Sequence, residues 1–238
     1  MGIQERKDRE KEARREEIID AAEKVFIEKG LNAATMDEVA EAAELSKGTL
    51  YLYYRSKEDL YLAFTLRGME IMHKLFLDAV STEENPLKLI RNLEEAYYRF
   101  FRDYRHYFRA LYFFESPEFQ TQISEPMREQ CSIVDRRIWD FVIQIMRRGI
   151  DEGLLHDDLD PFEAGIMLWS NANGLLRLID RHESYWKEVM KIDLEKTLRK
   201  STAMLVEAMM TERAQSLFPE LVPHTRQSRK QANETRHS

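Results

Sequence analysis

The sequence predicts an all-α protein: a small N-terminal three-helix domain followed by a larger C-terminal helical domain. Three observations lead there. The 238 residues include only 8 Gly and 6 Pro, so long helices are favoured over strands and turns. Apolar residues recur at helical spacing, and no segment alternates as a half-buried strand does. Helix-start signals also crowd residues 35–59, TMDEVAEAAELSKGTLYLYYRSKED. There Thr35 stands three before Glu38, Ser46 opens a second helix, and Ser56 stands three before Asp59. The outer two have capping-box spacing, a hydroxyl accepting from an orphan N–H while a carboxylate reaches back.

Each element follows from local pattern. Residues 1–13 are a mixed-charge run without apolar anchors, read as a frayed helical lead-in. The alternative is an arm reaching DNA through Arg6, Lys7 and Arg9. A first helix from Arg14 to Lys29 puts Ile18, Ala22, Val25 and Phe26 on one face, with Gly30 as its stop. The second, Met36 to Ala43, buries Met36, Val39 and Ala40; a third begins at Ser46 and a fourth at Ser56, running towards Ala79. Asn85-Pro86 starts an aromatic-rich helical region to Phe114, broken by Ser116-Pro117. Further helices are expected over Met127–Glu152, from Pro161 to about Asp180 behind an Asp160 cap, and over Asp193–Thr211. From Pro219 the chain turns polar, and residues 216–238 read as a disordered tail. The domains are then 12–72, with its motif at 35–54, and 73–215.

The two short helices around Ser46 are too short to stand alone and must dock. Two docked helices across a tight turn form a helix-turn-helix, whose second helix enters a DNA major groove. In SKGTLYLYYRSK, Ser46 caps that helix and aims its first N–H groups outward, while Lys47 and Thr49 project from the first turn. Gly48 permits close approach, Tyr51 and Tyr53 offer hydroxyl donors, and Lys57 adds a cation. Leu50 and Tyr54, four apart, face the core instead.

Composition narrows the classes. A net charge of −7 argues against a protein coated in basic charge, yet leaves room for a local DNA-binding face. No apolar run approaches a membrane span, and the charged N-terminus is unlike a signal peptide. A lone Cys131 suits a reducing cytoplasm. A soluble cytoplasmic protein is expected.

The stretch from Arg15 to Tyr61 resembles the tetracycline-repressor (TetR) family of bacterial transcription regulators. The resemblance rests on Arg15, Ile18-Ile19, Ala21-Ala22 and Phe26, on Gly30, and on Thr35-Met36 with Val39-Ala40. It continues through Ser46-Lys47-Gly48-Thr49-Leu50-Tyr51 and Ser56-Lys57-Glu58 with Leu60. It implies a homodimeric, all-helical repressor whose C-terminal domain binds a small effector. It also implies phosphate contact at Thr35, Tyr51 and Lys57, and groove contact at Lys47, Gly48 and Thr49. Two positions depart from the family: Glu44 replaces the usual turn glycine, and Tyr53-Tyr54 replaces a frequent His-Phe pair.

In the larger domain the aromatics between Tyr97 and Phe114 outnumber what one helical face can bury. Most such stripes are core. A largely apolar pocket is the other reading, with Phe101, Tyr104, Phe108, Tyr112, Trp139, Trp169 and Asn173 as candidate ligand contacts. The helix after Pro161 and the last helix, rich in Leu198, Met204, Leu205, Ala208 and Met209, are the expected intersubunit bundle, Gly165 and Gly174 allowing close approach. Asn173 could instead pair across that seam. No catalytic residue, cofactor or metal site is expected. His156-Asp157-Asp158 lacks a second histidine, Cys131 has no evident base, and no Gly-rich phosphate loop occurs. The expected function is a homodimeric repressor on double-stranded operator DNA, released by a small apolar or aromatic effector. The alternative is a helical ligand sensor that acts through a protein partner without binding DNA.

Overall fold

A computed structural model describes residues 2–114, Phe119 and 121–222. The Ser116-Pro117 break, the side chain of Phe113 and the expected tail beyond Val222 lie outside the described residues. Among those described, all regular structure is helical, apart from one isolated bridge between Leu155 and Met210. The helices are α1 (Ile3–Ala33), α2 (Met36–Ala42), α3 (Lys47–Tyr53), α4 (Lys57–Val80) and α5 (Pro86–Asp103). They continue as α6 (Arg105–Phe114), α7 (Glu125–Asp151), α8 (Pro161–Ser184), α9 (Leu194–Met209) and α10 (Glu212–Leu217). Contacts divide the chain into two compact units: residues up to Lys74 together with Arg99–Arg136, and Leu75–Tyr98 together with residues from Arg137 onward.

In the first unit, α1 begins well before the expected Arg14. From Gln4 to Ala13 the charged lead-in is an exposed helix, held by the one-turn pairs Gln4–Asp8 at 3.0 Å and Arg6–Glu10 at 2.8 Å. Gly30 interrupts α1 with φ +73°, where a side chain would be strained. Ile18, Ala22, Val25 and Phe26 are buried as their spacing predicts, along with Met36, Val39, Ala40, Leu50, Leu60 and Phe64. Ser56 caps α4 by accepting from the Asp59 N–H at 3.0 Å. The Asp59 carboxylate, expected to complete a capping box, accepts instead from the Ser124 N–H at 2.8 Å, at the start of α7. That bond spans 65 residues and has no local signature.

The aromatic-rich helical region consists of two helices, α5 and α6, separated at Tyr104. Gly68 on α4 sits against α6: a Cβ there would lie 2.7 Å from Tyr107 Cβ. Arg67, next to it, donates to Asp20 at 2.6 Å and also pairs with Glu16 and Glu23 on α1. The Tyr107 hydroxyl donates to Glu23 at 2.7 Å. Burial disfavours the Arg67 charge, but the hydrogen bonds to Asp20 and Glu16 outweigh it, and its pKa is raised.

In the second unit, Asp160 caps α8 by accepting from the Phe162 and Glu163 N–H groups at 2.8 and 2.9 Å, ahead of Pro161. Gly165 lets α8 lie close to α7, since a Cβ would meet Val142 at 3.3 Å. The helix continues past Asp180 to Ser184, bent at His182, and a π-type turn follows over Tyr185–Val189. It packs against α9, which starts at the Asp193 cap. Beyond the expected last helix, Glu212–Leu217 forms α10 behind a Thr211 cap, and Pro219–Leu221 is a 3-10 turn. Ser216 and Leu217, counted from the sequence as the start of a tail, therefore close a helix on which Ala214 is fully buried.

Polar groups cluster inside this unit. The Tyr97 hydroxyl donates to Asn173 Oδ1 at 3.2 Å, and Asn171 Nδ2 donates to Thr202 at 3.3 Å. Glu94 keeps one buried carboxylate oxygen without a hydrogen-bond partner among the described residues. Burial pushes its pKa up to about 7, against a hydrogen bond from Thr202 and the charge of Arg199. A carboxyl raised above its unfolded value destabilises the fold as pH rises through the window from the ordinary 4.5 to about 7. Glu94→Gln should therefore raise the thermal midpoint at pH 8, by up to about 3 kcal/mol of stability, and change little at pH 5. Melting curves of both proteins at the two pH values check this; equal gains at both would show that Glu94 is not the titrating group.

Candidate nucleic-acid interface

The α2–α3 segment is built by its caps. Thr35 Oγ1 accepts from the Glu38 N–H at 3.3 Å, and Glu38 accepts in return from the Thr35 N–H at 3.0 Å. Lys29 donates to the same carboxylate at 2.7 Å, which ties the start of α2 to α1. After α2 the Leu45 N–H donates to Ala40 O at 2.8 Å and the Glu44 N–H to Glu41 O at 3.0 Å. This is the Schellman pattern, and it places Glu44 in the left-handed region with φ 55°. The turn thus keeps glycine geometry with a glutamate in it, at a cost of roughly 1–2 kcal/mol. Ser46 Oγ accepts from the Thr49 N–H at 3.1 Å and lies 2.8 Å from the Thr49 hydroxyl.

On α3, Leu50 is fully buried and Tyr54, just past its end, is 6 % exposed, as their spacing predicts. Burial pushes the Tyr54 phenol up to about 12. Lys47, Gly48 and Tyr51 are exposed, while Thr49 and Tyr53 are half-buried. The structure thus gathers Ser46, Lys47, Gly48 and Tyr51 on the outward side of one short helix. A Cβ on Gly48 would meet nothing nearer than Ser46 Oγ at 3.9 Å, so no internal contact explains this glycine.

Two cations are engaged in ways the sequence does not announce. The Lys47 ammonium lies 2.7 Å from Asp37 Oδ1 and 3.0 Å from Oδ2, across the turn. The hydrogen bond to Asp37, then its charge, holds Lys47 above its ordinary pKa. Lys57 donates to Ala34 O at 3.0 Å and Asn32 O at 3.4 Å, closing the end of α1. Asp37 and Leu52 are the residues that sequence reasoning missed on this face. Leu52 had one available signal: on a helix it stands away from Leu50 and four residues after Gly48.

The candidate ligand contacts fall into two groups. Phe101, Phe108, Tyr104 and Tyr112 belong to the first unit. There Phe101 and Phe108 are buried core, ring centroids 4.9 Å apart, and Phe108 and Tyr112 also lie at 4.9 Å. Trp139, Trp169 and Asn173 belong to the second. Trp139 stands 6.0 Å from Trp169 and 5.3 Å from Phe162. Asn173 is buried within its own chain and bonded to Tyr97 rather than presented at an outer seam.

A family model described as bacterial regulatory proteins, tetR family, matches residues 18–64, the stretch that holds α2, α3 and their caps. Over residues 18–64 the chain thus carries the regulatory segment of the TetR family. The KstR2 transcriptional repressor of Mycobacterium tuberculosis is 28 % identical over 149 residues, 62 % of this chain and 72 % of the relative. The FasR transcriptional activator of Mycolicibacterium smegmatis is 30 % identical over 145 residues, 60 % of this chain and 63 % of the relative. In fold, the chain is similar to FadR of Bacillus subtilis, solved in complex with stearoyl-CoA. That likeness has TM-score 0.64 at 17 % identity, covering 80 % of this chain and 96 % of the other. The all-helical TetR-type fold expected from sequence is the one observed, and the relatives that match it are transcriptional regulators.

Proposed function

We propose that this chain is a cytoplasmic, homodimeric repressor that binds double-stranded operator DNA through α3 and leaves it when a small apolar or aromatic effector binds. The observation that carries the reading is the outward side of α3, where exposed Lys47 and Tyr51 flank a glycine that internal packing does not require. Lysine and tyrosine reach phosphates or base edges, and a bare backbone lets the helix approach them. Ser46, Thr49, Tyr53, Thr35 and Lys57 complete the proposed contact set around it.

Homodimerisation is supported by the outer faces of α8 and α9, where Phe162, Met167, Trp169 and Met204 are exposed. A Cβ on Gly174 would meet nothing within 4 Å, which leaves room for a second helix. Two such protomers would set two copies of α3 against the two halves of a near-palindrome. The effector reading is supported by the density of rings in the helical region and by the acyl ligand of the similarly folded FadR. Phe101, Tyr104, Phe108 and Tyr112 in the first unit, or Trp139, Trp169 and Asn173 in the second, remain its candidate contacts. Release requires the effector to favour a conformation that fits the operator less well.

The test is a gel shift on the duplex upstream of the protein's own gene, run over a series of salt concentrations. Lys47→Ala should weaken binding and lower the slope of log affinity against log salt by about 1, with helical content and melting unchanged. A wild-type protein that shifts no duplex at low salt would favour the protein-partner reading. Unaltered affinity and slope in Lys47→Ala would remove Lys47 from the interface.

A further inference from the structure

We propose that Leu52 is a base-reading residue, its side chain taking the 5-methyl group of a thymine in the major groove beside the clearance left by Gly48. This rests on α3 being the DNA-reading helix, and it names what one part of that helix reads. Leu52 is 82 % exposed, whereas Leu50, on the same helix, is 0 % exposed. Leu52 therefore contributes almost nothing to the protein's own core. Gly48 stands one turn before it, and a helical glycine is disfavoured by about 1 kcal/mol relative to alanine. A Cβ there would meet only Ser46 Oγ, at 3.9 Å.

An ordinary solvent-facing helix would carry polar, helix-favouring side chains at both positions. Here one has no side chain and the other has an aliphatic one, at the i, i+4 spacing that puts them on a single ridge. Lys47 and Tyr51 form the neighbouring ridge at the same spacing. They can donate to phosphate and to base edges; Leu52 can neither donate nor accept. Among the groups displayed in the major groove, the thymine methyl is the one an aliphatic side chain complements. Gly48 lets the helix sink far enough for a side chain of leucine's length to reach it.

The experiment starts by selecting duplexes from a random library with the wild-type protein. Each recurring thymine of the selected duplex is then replaced by deoxyuridine, which removes only the methyl group. Dissociation constants are measured for the wild type, Leu52→Ala and Leu52→Met. At one thymine in each half-site, deoxyuridine should weaken the wild type about fourfold, the worth of one buried methyl at ~0.8 kcal/mol. Leu52→Met should keep that penalty, because it keeps an apolar reach. Leu52→Ala should lose it, binding both duplexes alike, with an unchanged melting midpoint and salt dependence. A penalty of equal size in Leu52→Ala, or none at any thymine in the wild type, overturns the assignment while DNA binding stands. If the wild type selects no duplex, the DNA-binding reading fails and the role of Leu52 fails with it.

Discussion

Met204→Glu should turn the protein into monomers and remove most of its operator affinity, although every proposed DNA contact is left in place. Met204 lies on α9 and is 53 % exposed, so a single chain loses little of its own core when the residue changes. In a twofold seam built from α8 and α9, the same carboxylate would be buried on both sides, close to its own symmetry mate. Burying unpaired charge costs several kcal/mol per site. Affinity then follows from geometry, because two linked heads hold each other at millimolar effective concentration, and separated heads do not. The loss should be on the order of 10²–10⁴-fold. Sedimentation velocity and fluorescence anisotropy on the full operator check both parts. A variant that stays dimeric moves the seam elsewhere. One that is monomeric yet binds with undiminished affinity removes the paired half-site mechanism. Leu205, also placed at the seam by the sequence, is half-buried within its own chain, so a charge there mixes folding damage with interface damage.

The second large effect separates the two sides of α3. Leu50 is fully buried, and Leu50→Ala should lower stability by about 2–5 kcal/mol through lost transfer energy and a cavity. Tyr51 is 43 % exposed, and Tyr51→Phe removes only a hydroxyl. It should leave the melting midpoint within a degree or two while reducing DNA affinity. Thermal melting paired with DNA titration reads both variants. Reversed phenotypes would mean that α3 is rotated from the orientation described.

What could be read in the chain, and what could not, divides by range along the sequence. Thr35, Ser46, Asp160 and Asp193 each cap a helix within three residues of themselves, so the hydroxyl or carboxyl and its target are visible together. The inward stripes of α1 and α2 were legible for the same reason, since periodicity is a local property. Ser56-Asp59 had the right spacing for a full capping box, yet the carboxylate went to Ser124, a partner that only tertiary packing supplies. Lys57 reads as a free cation until the fold brings the end of α1 to it. Gly68 reads as a weak spot in a helix until Tyr107 is laid against it. On the outward side of α3, the position of Lys47 was legible and its partner Asp37, ten residues away across a turn, was not.

That pairing changes how an encounter with nucleic acid should be counted. Lys47 in the unbound protein already has an anion at 2.7 Å, so meeting DNA is a swap of partners rather than a simple gain. A phosphate at an arbitrary place on the duplex must displace a carboxylate that is covalently tethered nearby, and the freed Asp37 is left facing a polyanion. Random DNA offers little to offset that repulsion. An operator can offset it, either with groove groups that accept from the remaining N–H donors of Lys47 without dislodging Asp37 or with amino groups that the carboxylate itself can accept from. On the proposed reading of α3, the acid on this face would act as a discriminator, shortening the lifetime on wrong sequences more than on the right one and freeing the protein sooner to resume its search.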